Sequence, residues 1–392
     1  MKILQVVSFL SPVRGGGVVS SVYQLSRALI DQGHEVVIYT SDFELDQEYI
    51  DSLVGVRVIL FRSYLSLNNR PLIMKGLIKT VKEDLNGFDI IHMHECRGYM
   101  NLILYYFACQ NGIPYIVDAH GAQRKPRGLL KRLANTAYGK RILQNANRVI
   151  AETEIGANEY KSAGVDPSRI SMIYPPFPLK EFGQIPPPGI FREKHKIYNE
   201  HLILFMGRIS HIKGLDFLID SFRDLCRQRN DIILVIAGSD DGYQSILERR
   251  IRELDLVDKT IFVGFIKGTD KKSALVDASV IVQPSLYEQG LPKPCIEAAL
   301  CGTPFIVTRG TGAGSLANYM NAGFLVDYND TSELSKTIQF VLGNPTEAVR
   351  EANKVKRYVI SHLSMEKGVC LYENIYQSCL KDLKEQMREV TK

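Results

Sequence analysis

The chain is predicted to be an α/β protein built from two Rossmann-like domains that face a central cleft. Three observations lead there. Short apolar strands and amphipathic helical stretches alternate through most of its 392 residues, an order that implies parallel sheets covered on both faces by helices. That length exceeds one ordinary domain and suits two. The alternation breaks once, at 175–189, PPFPLKEFGQIPPPG, where six prolines and two glycines exclude the interior of a helix or sheet and read as an interdomain linker.

The elements follow in order. Lys2–Val7 is a short apolar strand, and Val18, Val22, Leu25 and Leu29 then recur at helical spacing until Gly33 stops the helix. Further strands are expected at Glu35–Thr40, Val56–Phe61, Asp89–His94, Pro114–Ala119, Arg148–Glu152 and Ile170–Tyr174, with helical patterns between most of them. After the proline-rich segment the pattern restarts, with strands at Leu202–Met206, Ile232–Ala237, Thr260–Val263, Ser279–Gln283, Phe305–Thr308 and Phe324–Asp327. The expected domains are 1–180 and 190–364. Residues 365–392 are helical in composition and are expected to return to the first domain.

Composition narrows the classes. Hydrophobic residues make up 45% and charged residues 23%, as in soluble globular proteins. A net charge of +5 is too mild to indicate nucleic-acid binding. The seven cysteines are scattered, without CxxC pairs or metal-ligand spacing, which fits reduced thiols in a cytoplasm better than a disulfide framework. The N-terminal apolar run is strand-sized and is followed at once by arginine and three glycines, so it does not read as a signal peptide. No stretch reaches the roughly 20 apolar residues of a membrane span.

The residues that carry chemistry cluster at strand ends. Gly15-Gly16-Gly17 stands between the first strand and the first helix, where glycine allows close backbone approach to a ligand or simply makes a tight turn. Gly207 and Arg208 end the first strand of the second half, and Lys213-Gly214 opens the next helix. Two cations beside a helix N-terminus, at the carboxyl end of a strand, make a pyrophosphate clamp; the alternative is a solvated loop with surface cations. PSLYEQGLPKPCIEAALCGTPFIV, residues 284–307, carries two acids. Glu297 is expected at the start of a helix, either to accept hydrogen bonds from a ribose diol or to compensate the helix dipole. Glu288, in the loop before it, binds sugar hydroxyls and balances developing positive charge, or is a surface acid. His120 follows a strand in DAHG and is expected to turn its ring into the cleft, or to be a structural loop histidine. Asp240-Asp241 is expected to serve a cap or loop rather than a metal, and no metal cage is expected anywhere. Residues 119–151 hold eight Lys or Arg and no Asp or Glu, with Leu129, Leu130 and Leu133 beside the charges. Such a basic amphipathic segment suits an anionic membrane surface, a phosphorylated acceptor, or plain solvent.

These residues resemble the retaining glycosyltransferases of family 4, and the likeness runs through nearly the whole chain. It is carried by the GGG loop, LSRALIDQGHEVVIYT, FDIIHMHE, GIPYIVDAHG, FMGRISHIKGLDFLIDSF, VGFI, PSLYE and GLPKPCIEAALCGTPFIV. The resemblance implies the GT-B architecture, with an acceptor-side domain at 1–180 and a nucleotide-sugar domain at 190–364. It implies that Arg208 and Lys213 bind the donor diphosphate and that Glu297 binds the ribose. Glu288 and the loop after it, Gln289, Gly290 and Leu291, would contact the donor sugar. The base would rest near Gly264-Phe265, and His120 would reach the sugar from the other domain. Gly16, Gly17 and Gly207 complete the expected donor-binding set, and His120, Glu288, Arg208 and Lys213 form the expected catalytic set. One departure stands out. The family usually has seven residues between its two glutamates, whereas eight separate Glu288 from Glu297, so either the loop is longer by one or Gln289 takes the first position. The linker also lacks the Asn-Gly that often precedes this family's interdomain segment.

The expected activity is retaining transfer of a hexosyl group from a nucleoside-diphosphate sugar to a hydroxyl acceptor, glycan or lipid-linked, without metal or cofactor. The expected location is cytoplasmic, peripheral on the inner face of the plasma membrane through 124–141. A non-catalytic nucleotide-sugar-binding subunit and a sugar-nucleotide epimerase on the same architecture are the rival readings.

Overall fold

The computed structural model describes residues 1–66, 71–120, 138–198, 200–288, 290 and 293–390. They divide into two compact units, Met1–Phe177 with Met365–Lys392, and Pro178–Ser364.

The first unit is built on a seven-stranded sheet. Its strands are β1 (Lys2–Phe9), β2 (Glu35–Ser41), β3 (Arg57–Phe61), β6 (Ile90–His94), β7 (Tyr115–Asp118), β8 (Arg148–Ala151) and β9 (Ile170–Met172), in the order β3-β2-β1-β6-β7-β8-β9. Every pairing is parallel. The strands are buried on both faces, which explains their continuous apolar runs in the sequence. An antiparallel hairpin, β4 (Ser63–Ser66) with β5 (Pro71–Met74), stands apart from this sheet. The helix Met365–Val390 packs on this unit. Its Glu373 carboxylate lies 2.7 Å from His34 Nε2, its Tyr376 hydroxyl 2.9 Å from His92 Nδ1, and its Asp382 accepts from Arg148 at 3.0 Å.

The second unit repeats the plan. Its strands are β10 (His201–Met206), β11 (Ile232–Ala237), β12 (Thr260–Gly264), β13 (Val280–Gln283), β14 (Phe305–Thr308) and β15 (Phe324–Val326), all parallel, in the order β12-β11-β10-β13-β14-β15. The chain runs outward from β10 to β12 and then returns to the other side of β10. β10 and β13 are therefore neighbours from which the chain proceeds toward opposite edges of the sheet. Such a switch point opens a crevice at the carboxyl ends of the strands, where open α/β sheets bind ligands.

Two sequence expectations are corrected here. Gly15-Gly16-Gly17 does not precede the first helix but lies within the helical segment Pro12–Asp31, which is broken at Gly16 (φ 50°, ψ −122°). A side chain cannot easily adopt that conformation, so the glycine makes the kink. Glu297 does not start its helix. It is the fifth residue of Lys293–Leu300, a turn beyond the reach of a first-turn dipole role. Among the described residues no helix is long and apolar enough to cross a membrane. Arg124, Lys125, Arg127, Lys131 and Arg132 of the basic segment, and Gln289 and Leu291 of the glutamate loop, lie outside the described residues.

Candidate active site

The second unit gathers most of the expected residues at its switch point. Gly207 and Arg208 follow β10, and the Gly207 carbonyl is packed so closely that a Cβ on Gly238 would lie 1.8 Å from it. A second close approach fixes the next turn. Gly214 has φ +67°, and a Cβ there would lie 2.0 Å from the Pro284 carbonyl oxygen, so no other residue fits without moving the backbone. The Leu286 amide also donates to the Ile212 carbonyl at 3.0 Å. These contacts press the turn after β10 against the segment after β13.

That apposition brings Lys213 to Glu288. Lys213 Nζ lies 2.5 Å from Glu288 Oε1, and the two side chains are only 15% and 18% exposed. Ser285 Oγ donates to Glu288 Oε2 at 3.0 Å, and the Glu288 carbonyl accepts from the Gly312 amide at 2.7 Å. Ser285 is anchored in turn, its carbonyl accepting from the Thr308 hydroxyl at 2.8 Å. Glu297 is buried, and its Oε1 lies 2.7 Å from Lys271 Nζ. Cys295, which lies between the two acids in the sequence, is buried. Burial pushes its thiol well up, Glu288 and Glu297 add to the rise, and Lys213 opposes it. Lys213, Glu288 and Glu297 thus all act electrostatically on one buried thiol.

The remaining expectations fall as follows. Arg208 is half-exposed and pairs with Asp241 at 3.2 Å. Asp240 accepts from the Tyr243 and Gln244 amides at 2.8 and 2.9 Å, and these backbone donors hold its carboxyl below the ordinary value. It thus serves the loop that leads into the helix Gln244–Glu253, whose N-cap is Tyr243, within the cap-or-loop role its sequence context suggested. Gly264 ends β12 at φ +71°, its carbonyl accepting from the Gly238 amide at 2.8 Å, and Phe265 beyond it is exposed. Gly290 is half-buried.

His120 belongs to the first unit and occupies a strained backbone position, φ +43°. Its ring is turned inward. Nδ1 lies 2.8 Å from Glu152 Oε1, Nε2 lies 3.0 Å from His94 Nδ1, and its side chain is 6% exposed. His94 Nε2 continues the chain to Gln5 Oε1 at 2.5 Å. Both ring nitrogens are thus engaged within the first unit, as suits the structural loop histidine that was one of the two expectations. Glu152, His94 and Asp118 were missed by sequence reasoning as site residues. His94 stands in HMHE, Asp118 in DAHG and Glu152 just after Arg148–Ala151, each at the end of a strand, but the adjacency of β6, β7 and β8 is needed to join them.

Asp118 lies beneath this chain, 1% exposed. Burial pushes its carboxyl up to about 7 against the pull of His120, and Glu152 adds to the rise. An ordinary aspartate ionises near 3.8. Between those values the folded chain keeps a proton that the unfolded chain has lost, so this group's contribution to stability falls as pH rises through the window. Asp118→Asn carries no charge at any pH. It should melt above the parent at about pH 8, with the difference closing towards about pH 4. A melting difference that does not change with pH would refute the assignment.

Three kinds of comparison relate the chain to known proteins. The fold is GT-B. The chain is similar to the Anabaena protein HepE, solved in complex with UDP-glucose, with a TM-score of 0.79 over 98% of this chain and 100% of that one at 18% identity. Two family models match consecutive regions, Glycosyltransferase Family 4 over residues 15–181 and Glycosyl transferases group 1 over residues 189–359. The chain belongs to the group 1 glycosyltransferases, which use nucleotide sugars. An uncharacterised glycosyltransferase of Methanocaldococcus jannaschii is 25% identical over 96% of this chain and 98% of its own length. A D-inositol 3-phosphate glycosyltransferase of Catenulispora acidiphila is 25% identical over 84% of this chain and 82% of its own.

Proposed function

We propose that the chain transfers a hexosyl group from a nucleoside-diphosphate sugar to a hydroxyl acceptor, with retention at the anomeric carbon and without a metal ion. The observation that carries this reading is the Lys213–Glu288 contact. It joins two motifs that are 75 residues apart at the carboxyl ends of neighbouring strands, and it sets a cation for a phosphate against an acid for a sugar.

The chemistry follows from those charges. Arg208 and Lys213 take the diphosphate, whose charge grows as the bond to the anomeric carbon breaks. Lys213 leaves Glu288 when the donor binds, and the two cations then held on the diphosphate stabilise that growth. The released carboxylate is then free to accept from a sugar hydroxyl and to balance the oxocarbenium-like centre. The acceptor oxygen bonds to the anomeric carbon on the face the diphosphate leaves, and its proton passes to a departing phosphate oxygen. Glu297 holds the ribose, and Gly264-Phe265 lies beside the base. The Lys213–Glu288 contact also supports Glu288, rather than Gln289, as the first acid of the motif. An acceptor carried on a lipid would bring the basic stretch 124–141 against an anionic membrane.

The test needs no known acceptor. UDP-, GDP- and ADP-sugars are screened by thermal shift, where a ligand at 100 times its Kd stabilises by about 2.7 kcal/mol. The donor that binds is then followed for slow hydrolysis with and without EDTA. Stabilisation by one nucleotide class, and hydrolysis that survives chelation, are expected. Absence of any shift would sink donor binding, and activity lost in EDTA but restored by Mg²⁺ would sink the metal-free reading. Epimerised donor in place of free sugar would favour the epimerase. Cosedimentation with anionic vesicles at low salt tests the lipid-linked branch, and no binding there removes it.

A further inference from the structure

We infer that Lys271, outside every motif in the sequence, is a positioning residue that fixes the Glu297 carboxylate for the donor's ribose. The inference rests on the reading of Glu297 given above.

Lys271 is the fourth residue of the helix Gly268–Asp277, which follows the Gly264-Phe265 turn, and Glu297 lies on the next helix, Lys293–Leu300. The two side chains meet at 2.7 Å with exposures of 26% and 10%. A carboxylate this buried is costly unless it is paired. Lys271 is its ion-pair partner among the described residues, and it engages Oε1 alone. Oε2 carries no hydrogen bond to the described residues, so one edge of the carboxylate is held while the other stays open to a ligand. The same pair ties the helix that leaves the base-side turn to the helix that holds the ribose acid. Lys271 thereby sets the distance between the two parts of a nucleoside. It does so through the Glu297 carboxylate, to which its ammonium donates.

A carboxylate that chelates a ribose diol discriminates ribose from 2′-deoxyribose. Lys271 should influence that discrimination and little else. The experiment measures, on the full chain, the affinities of UDP, GDP and ADP and of their 2′-deoxy counterparts by titration calorimetry. The parent should prefer the ribonucleotide of its own base. Lys271→Met should weaken that ribonucleotide about tenfold, leave the deoxynucleotide nearly unchanged and so compress the ratio. Lys271→Arg should restore most of the ratio, because it keeps the charge. At saturating donor, kcat should stay within about threefold of the parent, and the double variant Lys271→Met/Glu297→Gln should bind no more weakly than Glu297→Gln alone. Lys271→Gln, which is less apolar, serves as a second variant if the Met change impairs folding.

The outcomes separate cleanly. If the parent shows no ribose preference, or Glu297→Gln leaves it intact, the reading of Glu297 fails. If Glu297→Gln collapses the ratio and the Lys271 variants do not, the role of Lys271 fails. It fails equally if those variants weaken ribo- and deoxynucleotides alike, the mark of general electrostatics or loosened packing.

Discussion

Lys213→Ala should lower kcat/KM by roughly 10² to 10³-fold, the scale seen when one fixed group that stabilises transition-state charge is lost. Two effects combine. The departing diphosphate loses one of its two cations, and Glu288 keeps its charge with side-chain exposure of only 18% and no lysine beside it. That carboxylate then repels the incoming diphosphate. The repulsion can be isolated, because Lys213→Ala/Glu288→Gln should bind the nucleoside diphosphate more tightly than Lys213→Ala does. Steady-state kinetics and calorimetry measure both quantities. A loss smaller than about tenfold in kcat/KM would remove Lys213 from the clamp. A double variant that binds no better would show that Glu288 does not face the diphosphate.

The two glutamates should divide their effects between kcat and KM. In the proposed reading Glu288 acts where charge develops, so Glu288→Gln should lower kcat by about 10²-fold with little change in donor KM. In the proposed reading Glu297 holds the ribose, which changes little during reaction, so Glu297→Gln should mainly raise donor KM, by about tenfold. Glutamine keeps the size of each side chain, and Ser285 can still donate to an amide oxygen at position 288, so neither variant should unfold the chain. Gln289→Ala is the control for the loop. If it costs more kcat than Glu288→Gln, then Gln289 fills the first position of the motif and the role given to Glu288 is withdrawn. If both glutamate variants raise KM alone, neither acid acts on the chemical step.

Much of the fold was legible in the residues themselves because its signals are local. A parallel strand buried on both faces is written as a continuous apolar run, and β1, β10 and β11 are such runs. Helix Leu215–Cys226 announces itself by apolar residues at helical spacing after Lys213-Gly214. The hairpin β4–β5 was not legible. Its strands are four residues long, one of them begins with a proline, and among the described residues they pair with each other and with no other strand. The positions of the clamp residues were also readable, since Gly207-Arg208 and Lys213 each follow a strand and a ligand site at such ends is a rule of open α/β sheets.

The sequence by itself determined that strands alternate with helices, that the sheets are parallel, and which loops carry cations and acids. Only the tertiary structure decided which of those loops meet. Lys213 reaches Glu288 because β13 pairs with β10 rather than with β12, and because Gly214 allows one turn to lie on the Pro284 carbonyl. His120 finds Glu152 and His94 because β6, β7 and β8 are neighbours, and Glu297 finds Lys271 because two helices pack. Periodicity is a property of consecutive residues and survives in any stretch of chain. Strand order and helix packing are properties of the whole chain, set by which apolar faces bury one another, and no local pattern records them.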